Sequence, residues 1–346
     1  MSIATELTLL ANSKQAIKNS INAKGGSITD STPFADYSTA IDNLPSGGSG
    51  NPILTSIDVS DFSGTTFNTV ASYITDVTIP SGVTSIVEAF KDCSHLTSAN
   101  IPNSVTSIGA SAFERCVHML SINIPSGVTS IGNFAFSYCN SLRNITIPSG
   151  VTSIGNFAFN YNISLTSITC NATTPPTLGT KAFDSTNNCP IYVPAASVDA
   201  YKAANNWSTY ASRIYPIQQV ATVDGNPVYN YDLGMTSTDT ITSENMAKMP
   251  AGTNLELAEG LTNIAAGEIN YQEVILPSTF TGFGDSDMIG SNVTTITSNA
   301  VTPPSVFRNQ LGGSGLTAIY VPAESVDAYK TAWADFASII QAIPTE

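Results

Sequence analysis

The residues best suited to chemistry in this chain are two Cys-x-His steps, Cys93-x-His95 and Cys116-x-His118, set 23 positions apart. Thiolate sulfur and imidazole nitrogen are both good zinc ligands, and two of each could close a tetrahedral site. The column that supplies the cysteines argues against this. Cys139 continues it without a histidine, and Asn162 takes the next place. A position that accepts Cys and Asn alike reads as an internal ladder, with His95 and His118 near an edge two residues along. The expectation is therefore no metal and no cofactor. No nucleophile elbow, phosphate-binding loop or HExxH helix occurs, and two histidines leave a Ser-His-Asp site unsupported. The segment GDSDMIG around Asp285 and Asp287 offers carboxylate oxygens but lacks the ligand series of a calcium loop, and reads as a solvated turn. No catalytic residue is assigned, and the chain is not expected to be an enzyme.

Aromatic residues offer a different chemistry, recognition. Phe134, Phe136, Phe157 and Phe159 recur as Phe-Ala-Phe, with Tyr138 and Tyr161 in equal register. The second phenylalanine of each pair reads as core. The first, Phe134 and Phe157, stands where other copies carry Ser111 or Val87 and is free to face outward. Stacked, exposed Tyr138 and Tyr161 would suit a sugar or protein ligand.

What must position these residues is a repeat. The phrase IPSGVTSI or a near copy begins at Ile79, Ile101, Ile124 and Ile147, in steps of 22, 23 and 23 residues. Leu96, Met119, Leu142 and Leu165 keep the register, as do Ala99, Ile122, Ile145 and Ile168, and Phe90, Phe113, Phe136 and Phe159. Alternating Leu, Ile and Ile predict a short strand with one face inward. Proline ends it because it cannot donate to the ladder. Ser-Gly supplies a turn, Val-Thr-Ser-Ile lays a second apolar segment, and Ala-Phe is expected to form a tight helical turn against the next coil. One unit cannot bury its apolar side alone, whereas stacked units share a continuous core.

These units resemble the BspA-like leucine-rich repeats of surface proteins from gut and oral bacteria and some of their phages, over residues 52–216. The resemblance implies a solenoid with a strand face used for adhesion or recognition. Residues 166–216 look like that family's end cap. There a strand and short helix in IYVPAASVDAYKAANNW would turn Val198, Tyr201 and Trp207 inward.

The same cap recurs as TTITSNAVTPP and IYVPAESVDAYKTAW. Tyr192 matches Tyr320, Pro194 matches Pro322 and Tyr201 matches Tyr329, all at an offset of 128. LAEGLTNI from Leu257 and LPSTFTGF from Leu276 look like degraded copies of IPSGVTSI. Residues 217–346 thus read as a second, divergent array with its own cap, and 217–250 as a hairpin or N-terminal cap for it. The fold class expected is an α/β repeat. It has two leucine-rich-repeat solenoid arrays with strand-helix end caps, preceded by an N-terminal helical hairpin.

That hairpin occupies residues 1–44. Ile3, Leu7, Leu10, Ile17 and Ile21 form one helical stripe, with Lys14 completing a coiled-coil-like seam. Gly25-Gly26 ends the helix; Thr32 and Pro33 start a second one with Phe34, Tyr37, Ile41 and Leu44 on one face. A Gly/Ser linker over 45–51 follows. The segment is similar to short helical segments near the start of phage tail and fibre proteins. It is expected to anchor the chain to other virion proteins or to associate into a homo-oligomer, a trimer by the fibre analogy.

Composition sets the remaining limits. Charged residues are 11% of the chain and the formal charge is −14. Such an acidic chain repels phosphate backbones and anionic membrane surfaces, so neither nucleic acid nor membrane is an expected partner. No stretch reaches the roughly 18 apolar residues a membrane helix needs. Five cysteines, an odd number, argue against a disulfide framework and for synthesis in a reducing compartment. The N-terminus shows neither the basic start nor the apolar run of an export signal. The sequence therefore favours a virion fibre or decoration protein that presents its repeats to a host-surface glycan or protein. A bacterial cell-surface adhesin is the alternative.

Overall fold

A computed structural model describes the strand at 57–58 and residues 75–79, 81–236, 239–265, 269–284, 292–305 and 315–344. The anchor residues Ile3, Leu7, Leu10, Ile17, Ile21, Phe34, Tyr37 and Ile41, and the acidic turn at Asp285 and Asp287, lie outside these. The chain divides into two compact units, Met1–Pro216 and Ile217–Glu346.

In the first unit, the coils contribute short strands to two sets. The first set follows the Leu-x-x-Ile pattern. Ile57–Asp58, Asp76–Thr78 and Ser98–Asn100 pair in parallel. Asn144–Ile147, Ser167–Cys170, Ile191–Pro194 and Ile214–Ile217 form a four-stranded sheet in that order. Coil 119–124 carries the ladder between them without forming a strand: Leu120 N–H donates to the Thr97 carbonyl at 3.1 Å. The second set is one parallel sheet of two-residue strands, in which Ile86, Ile108, Ile131, Ile154 and Leu178 sit in register. Its strands are brief because the following glycine and corner turn the chain.

The core is read straight off the columns. Leu96, Met119, Leu142 and Leu165 are buried, as are the Ile108 and Ala112 columns. Phe90, Phe113, Phe136, Phe159 and Phe183 stack face to face at 5.1–5.5 Å. Each such ring buries about 1.5–3 kcal/mol of hydrophobic free energy, and each pair adds about 0.5–1.5 kcal/mol.

The Ala-Phe corner is not the expected helical turn. Two residues in each coil, four positions apart, adopt left-handed backbone: Glu88 and Asp92, Ser111 and Arg115, Phe134 and Tyr138, Phe157 and Tyr161, Lys181 and Ser185, with φ between 51° and 62°. Between them every second N–H points at the next coil. Phe134, Phe136 and Tyr138 donate to the carbonyls of Asn156, Ala158 and Asn160 at 2.8–2.9 Å. A helical turn would direct its N–H groups along its own axis, leaving this edge unpaired. Each coil is thus held by three ladders, and within unit 1 the described helix and 3-10 segments all belong to the cap.

That cap begins with strand Ile191–Pro194 and helix Val198–Ala203. Tyr201 and Trp207 are fully buried, while Val198 is half-buried against the core. Tyr201 donates to the Ala172 carbonyl at 2.8 Å and Trp207 Nε1 to the Pro176 carbonyl at 2.8 Å. Tyr210 accepts the Phe183 N–H at 3.3 Å, and Arg213 donates to the Phe183 and Cys189 carbonyls. The cap supplies side-chain partners that a further coil would supply from its backbone.

The second unit opens with an antiparallel hairpin, Gln219–Val223 with Asn226–Tyr229. Gln219–Val223 also runs antiparallel to Asn254–Leu257. Parallel strands Glu273–Leu276, Thr295–Ser298, Ala318–Val321 and Ile340–Ala342 follow in one sheet. Thr240–Ile241, Asn263–Ile264 and Gly282–Phe283 form a second parallel set. Helix Val326–Ala332 closes this unit, with Tyr329 donating to the Ala300 carbonyl and Trp333 to the Pro304 carbonyl.

Glycine is required where coils touch. A Cβ on Gly155 would lie 2.4 Å from the Asn133 backbone nitrogen, and one on Gly132 2.5 Å from the Ala110 nitrogen, whereas nothing lies within 4 Å at Gly82. Gly155→Ala is expected to lower stability by about 2–3 kcal/mol or to prevent folding, while Gly82→Ala changes it by less than about 1 kcal/mol. Denaturant midpoints of the two variants check this; equal effects would contradict the close-contact account.

Candidate functional site

The two left-handed positions of each corner fall in two columns, exposed or half-buried apart from the buried Ser111. One runs Glu88, Ser111, Phe134, Phe157, Lys181; the other runs Asp92, Arg115, Tyr138, Tyr161, Ser185. The residue preceding Ser111 in its column is therefore Glu88, not Val87. Steric repulsion between Cβ and carbonyl makes this conformation cost roughly 1–2 kcal/mol for any residue but glycine. All five coils adopt it, so the fold imposes the backbone and leaves the side chain to choice.

In the third and fourth coils the choice is aromatic. Phe134 and Phe157 stack at 5.1 Å with planes 3° apart, and Tyr138 and Tyr161 at 4.7 Å, also 3° apart. Phe134 is 38% exposed, Tyr138 37% and Tyr161 46%, and Phe157 is half-buried. Ile163, two residues past Tyr161 in the chain, is 57% exposed and adds apolar surface to the same coil. Sequence reading passed over it because its column carries Asn140 and Val117 in earlier coils, with no repeating signal.

The columns become charged toward the N-terminal side. The Arg115 guanidinium stands 5.9 Å from the Tyr138 ring centroid and 3.6 Å from an Asp92 carboxylate oxygen, and Lys91 pairs with Glu114 at 3.1 Å. Tyr138 therefore has both ring faces covered, by Arg115 and Tyr161, and each other ring of the patch has at least one face covered. At Tyr138 the ring edge and the hydroxyl remain for a ligand.

The Cys-x-His steps do not converge. Cys93 and Cys116 point into the core, while His95 and His118 lie on the surface. Cys116 donates its thiol hydrogen to the Phe90 carbonyl and Cys139 to the Phe113 carbonyl, both at 3.2 Å. Burial pushes the Cys93 and Cys139 thiols up to about 12 and raises Cys116, Cys170 and Cys189 as well. All five cysteines are buried and free. They are structural thiols, unfit as thiolate ligands or nucleophiles near neutral pH. Among the described residues no cluster of three or more His, Cys, Asp or Glu side chains could hold a metal ion.

Asn162 occupies the same buried column, yet its Nδ2 and Oδ1 find no hydrogen-bond partner among the described residues. Desolvating an unpaired amide costs about 1–3 kcal/mol. Asn162→Cys would continue the thiol ladder toward the Phe136 carbonyl, and is expected to raise the unfolding free energy by about 1–2 kcal/mol. A thermal melt that is unchanged or lower would contradict it.

The thiols also set an alkaline limit. Their folded values lie above the unfolded value of about 8.5, so the contribution is complete below that pH and is lost as pH rises toward 12. Stability should fall by up to about 1.4 kcal/mol per pH unit per thiol above pH 9. A Cys93→Ala/Cys139→Ala double variant should show a shallower decline between pH 8 and 9.5. Equal slopes in the two proteins would refute the assignment.

A family model for the BspA type leucine rich repeat region matches residues 55–190 in six copies. By structure the chain is similar to a leucine-rich repeat protein from Bacteroides ovatus, at 20% identity and TM-score 0.29, covering 78% of this chain and 65% of that one. It is also similar to a leucine rich cell surface protein from Faecalibacterium prausnitzii, at 19% identity and TM-score 0.31, covering 84% of each chain. A third similar structure is the pneumococcal vaccine antigen PcpA, at 16% identity and TM-score 0.23, covering 78% of each. The chain thus spans just under two thirds of the Bacteroides ovatus protein. No curated protein matches it by sequence. Residues 55–190 of this chain thus match leucine-rich repeats of the BspA type.

Proposed function

We propose that this is a non-enzymatic recognition protein of a bacterial cell surface, whose repeats bind a partner through the aromatic columns Phe134–Phe157 and Tyr138–Tyr161. The observation that carries the reading is the occupancy of these positions. The corner demands left-handed backbone, which large aromatic residues adopt at a cost, and other coils fill the same places with Glu88, Ser111, Arg115 and Ser185. The fold does not need rings there, so the two coils that carry them are read as a binding patch.

The hydroxyl-bearing ring edges of the patch favour a polypeptide partner. Ring edges with hydroxyls resemble the tyrosine-rich centres of protein interfaces. Placement at the cell surface rests on the resemblance of residues 55–190 to bacterial surface-protein repeats. The virion-fibre reading depends on residues 1–44, and nothing in the repeats supports it. Residues 251–344 we read as a divergent array of the same kind, on the strength of their parallel strands and the recurring Tyr and Trp cap contacts.

Asparagine tolerates left-handed backbone, so Tyr138→Asn/Tyr161→Asn and Phe134→Asn/Phe157→Asn remove the rings without breaking the corner. Both variants should melt within a few degrees of the parent and lose at least about tenfold in binding to bacterial and host cells, as expected for interface centres. Unchanged cell binding would overturn the proposal. Binding abolished by glycosidase treatment of the cells, but not by protease, would replace the polypeptide partner with a glycan.

A further inference from the structure

The chain contains two histidines, and the fold sets them directly above one another. Phe90, Cys93 and Leu96 pack inward along the first corner, and Phe113, Cys116 and Met119 along the next. The same register brings His95 and His118 onto the surface in adjacent coils. Their rings stack at 5.6 Å with planes 19° apart, and both side chains are exposed.

Ser94 orients both. Nδ1 of His118 lies 2.6 Å from the Ser94 carbonyl, and Nδ1 of His95 lies 3.3 Å from the Ser94 hydroxyl. A carbonyl only accepts, so Nδ1 of His118 carries the proton and its Nε2 keeps the lone pair in the neutral ring. The hydroxyl can either donate to or accept from His95, and Nε2 of that ring is likewise turned away from Ser94. A backbone carbonyl holding one ring nitrogen while the other faces a metal is the usual outer-shell arrangement of metal-ligating histidine.

We propose that His95 and His118 form a two-histidine site for a late first-row divalent cation, with solvent filling the remaining positions. Imidazole pairs without thiolate or carboxylate suit Cu(II), Ni(II) and Zn(II), and the affinity order places Cu(II) first. Metal–nitrogen bonds of about 2.0–2.1 Å hold two ligating nitrogens within roughly 4 Å of each other. Binding therefore draws the Nε2 edges of the rings together, a movement open to two exposed side chains. The site differs from a Cys-x-His cluster, since the buried thiols take no part. It is separate from the aromatic columns and does not depend on the recognition reading. Open coordination positions would also let a ligand from a second molecule complete the sphere.

The test is titration of the untagged full-length chain with CuCl2, then NiCl2 and ZnCl2, by isothermal calorimetry with thermal melts in parallel. One Cu(II) per chain is expected, with a melting temperature that rises with metal concentration because only the folded chain juxtaposes the rings. His95→Ala and His118→Ala should each weaken Cu(II) binding at least tenfold, with circular dichroism unchanged. Binding that persists undiminished in either single variant, or no saturable binding by the parent, would overturn the site. The double variant His95→Asn/His118→Asn guards against loss through misfolding: a folded double variant that still binds one Cu(II) equally well would also refute it.

Discussion

Each corner of the first unit hands its backbone N–H groups forward to the carbonyls of the next coil, and that bond pattern governs what every position can hold. Three donors per corner, such as Phe134, Phe136 and Tyr138, need left-handed residues at both ends of the run to aim them all one way. Once the corner is fixed, the side chains between its two left-handed positions turn inward. The small Ala135 and the large Phe136 then fall against the same atoms in every coil, and the phenylalanines stack into one continuous column. A ladder of this kind has no partner at its last rung. The end of the array is therefore as constrained as its interior.

The same geometry reverses the usual placement of glycine. Left-handed positions, where glycine is favoured, are filled by Glu88, Arg115, Phe134 and Tyr161, while Gly132, Gly155 and Gly179 have ordinary φ and are needed for space against the preceding coil. Strain at the corners is tolerated because paired backbone groups and buried neighbours over-determine the conformation. Outward side chains at those corners are left without a structural task. Variation there, from ion pair to stacked rings, changes the surface from coil to coil without disturbing the core.

Both units solve the end problem with the same contacts. A tyrosine hydroxyl meets the Ala172 or Ala300 carbonyl, and an indole nitrogen meets the Pro176 or Pro304 carbonyl. The tyrosines keep the offset of 128, but Trp333 lies two residues short of the place that offset gives to Trp207. The first cap carries Asn205 and Asn206 before its tryptophan, and the second passes directly from Ala332 to Trp333. What is retained is the hydrogen bond rather than the sequence spacing, since an uncapped carbonyl over a buried face would be costly.

Much of this was legible in the sequence because stacking is periodic. Core columns such as Leu142, Ile145 and Phe136 recur at 23 residues for the same reason they are buried: each must meet its own kind in the coil above. The cysteine column and the cap residues Tyr201 and Trp207 were legible on the same ground. The structure alone decided the corner, where a helical turn was expected and a left-handed ladder is found, because local propensity carries no trace of a bond made 22 or 23 residues away. It also decided the direction of side chains that do not repeat. Ile163 had no column to announce it, and the shared hold of Ser94 on His95 and His118 depends on how two coils overlie. Periodicity in the sequence determines what is buried; the overlap of neighbouring coils decides which surface groups meet.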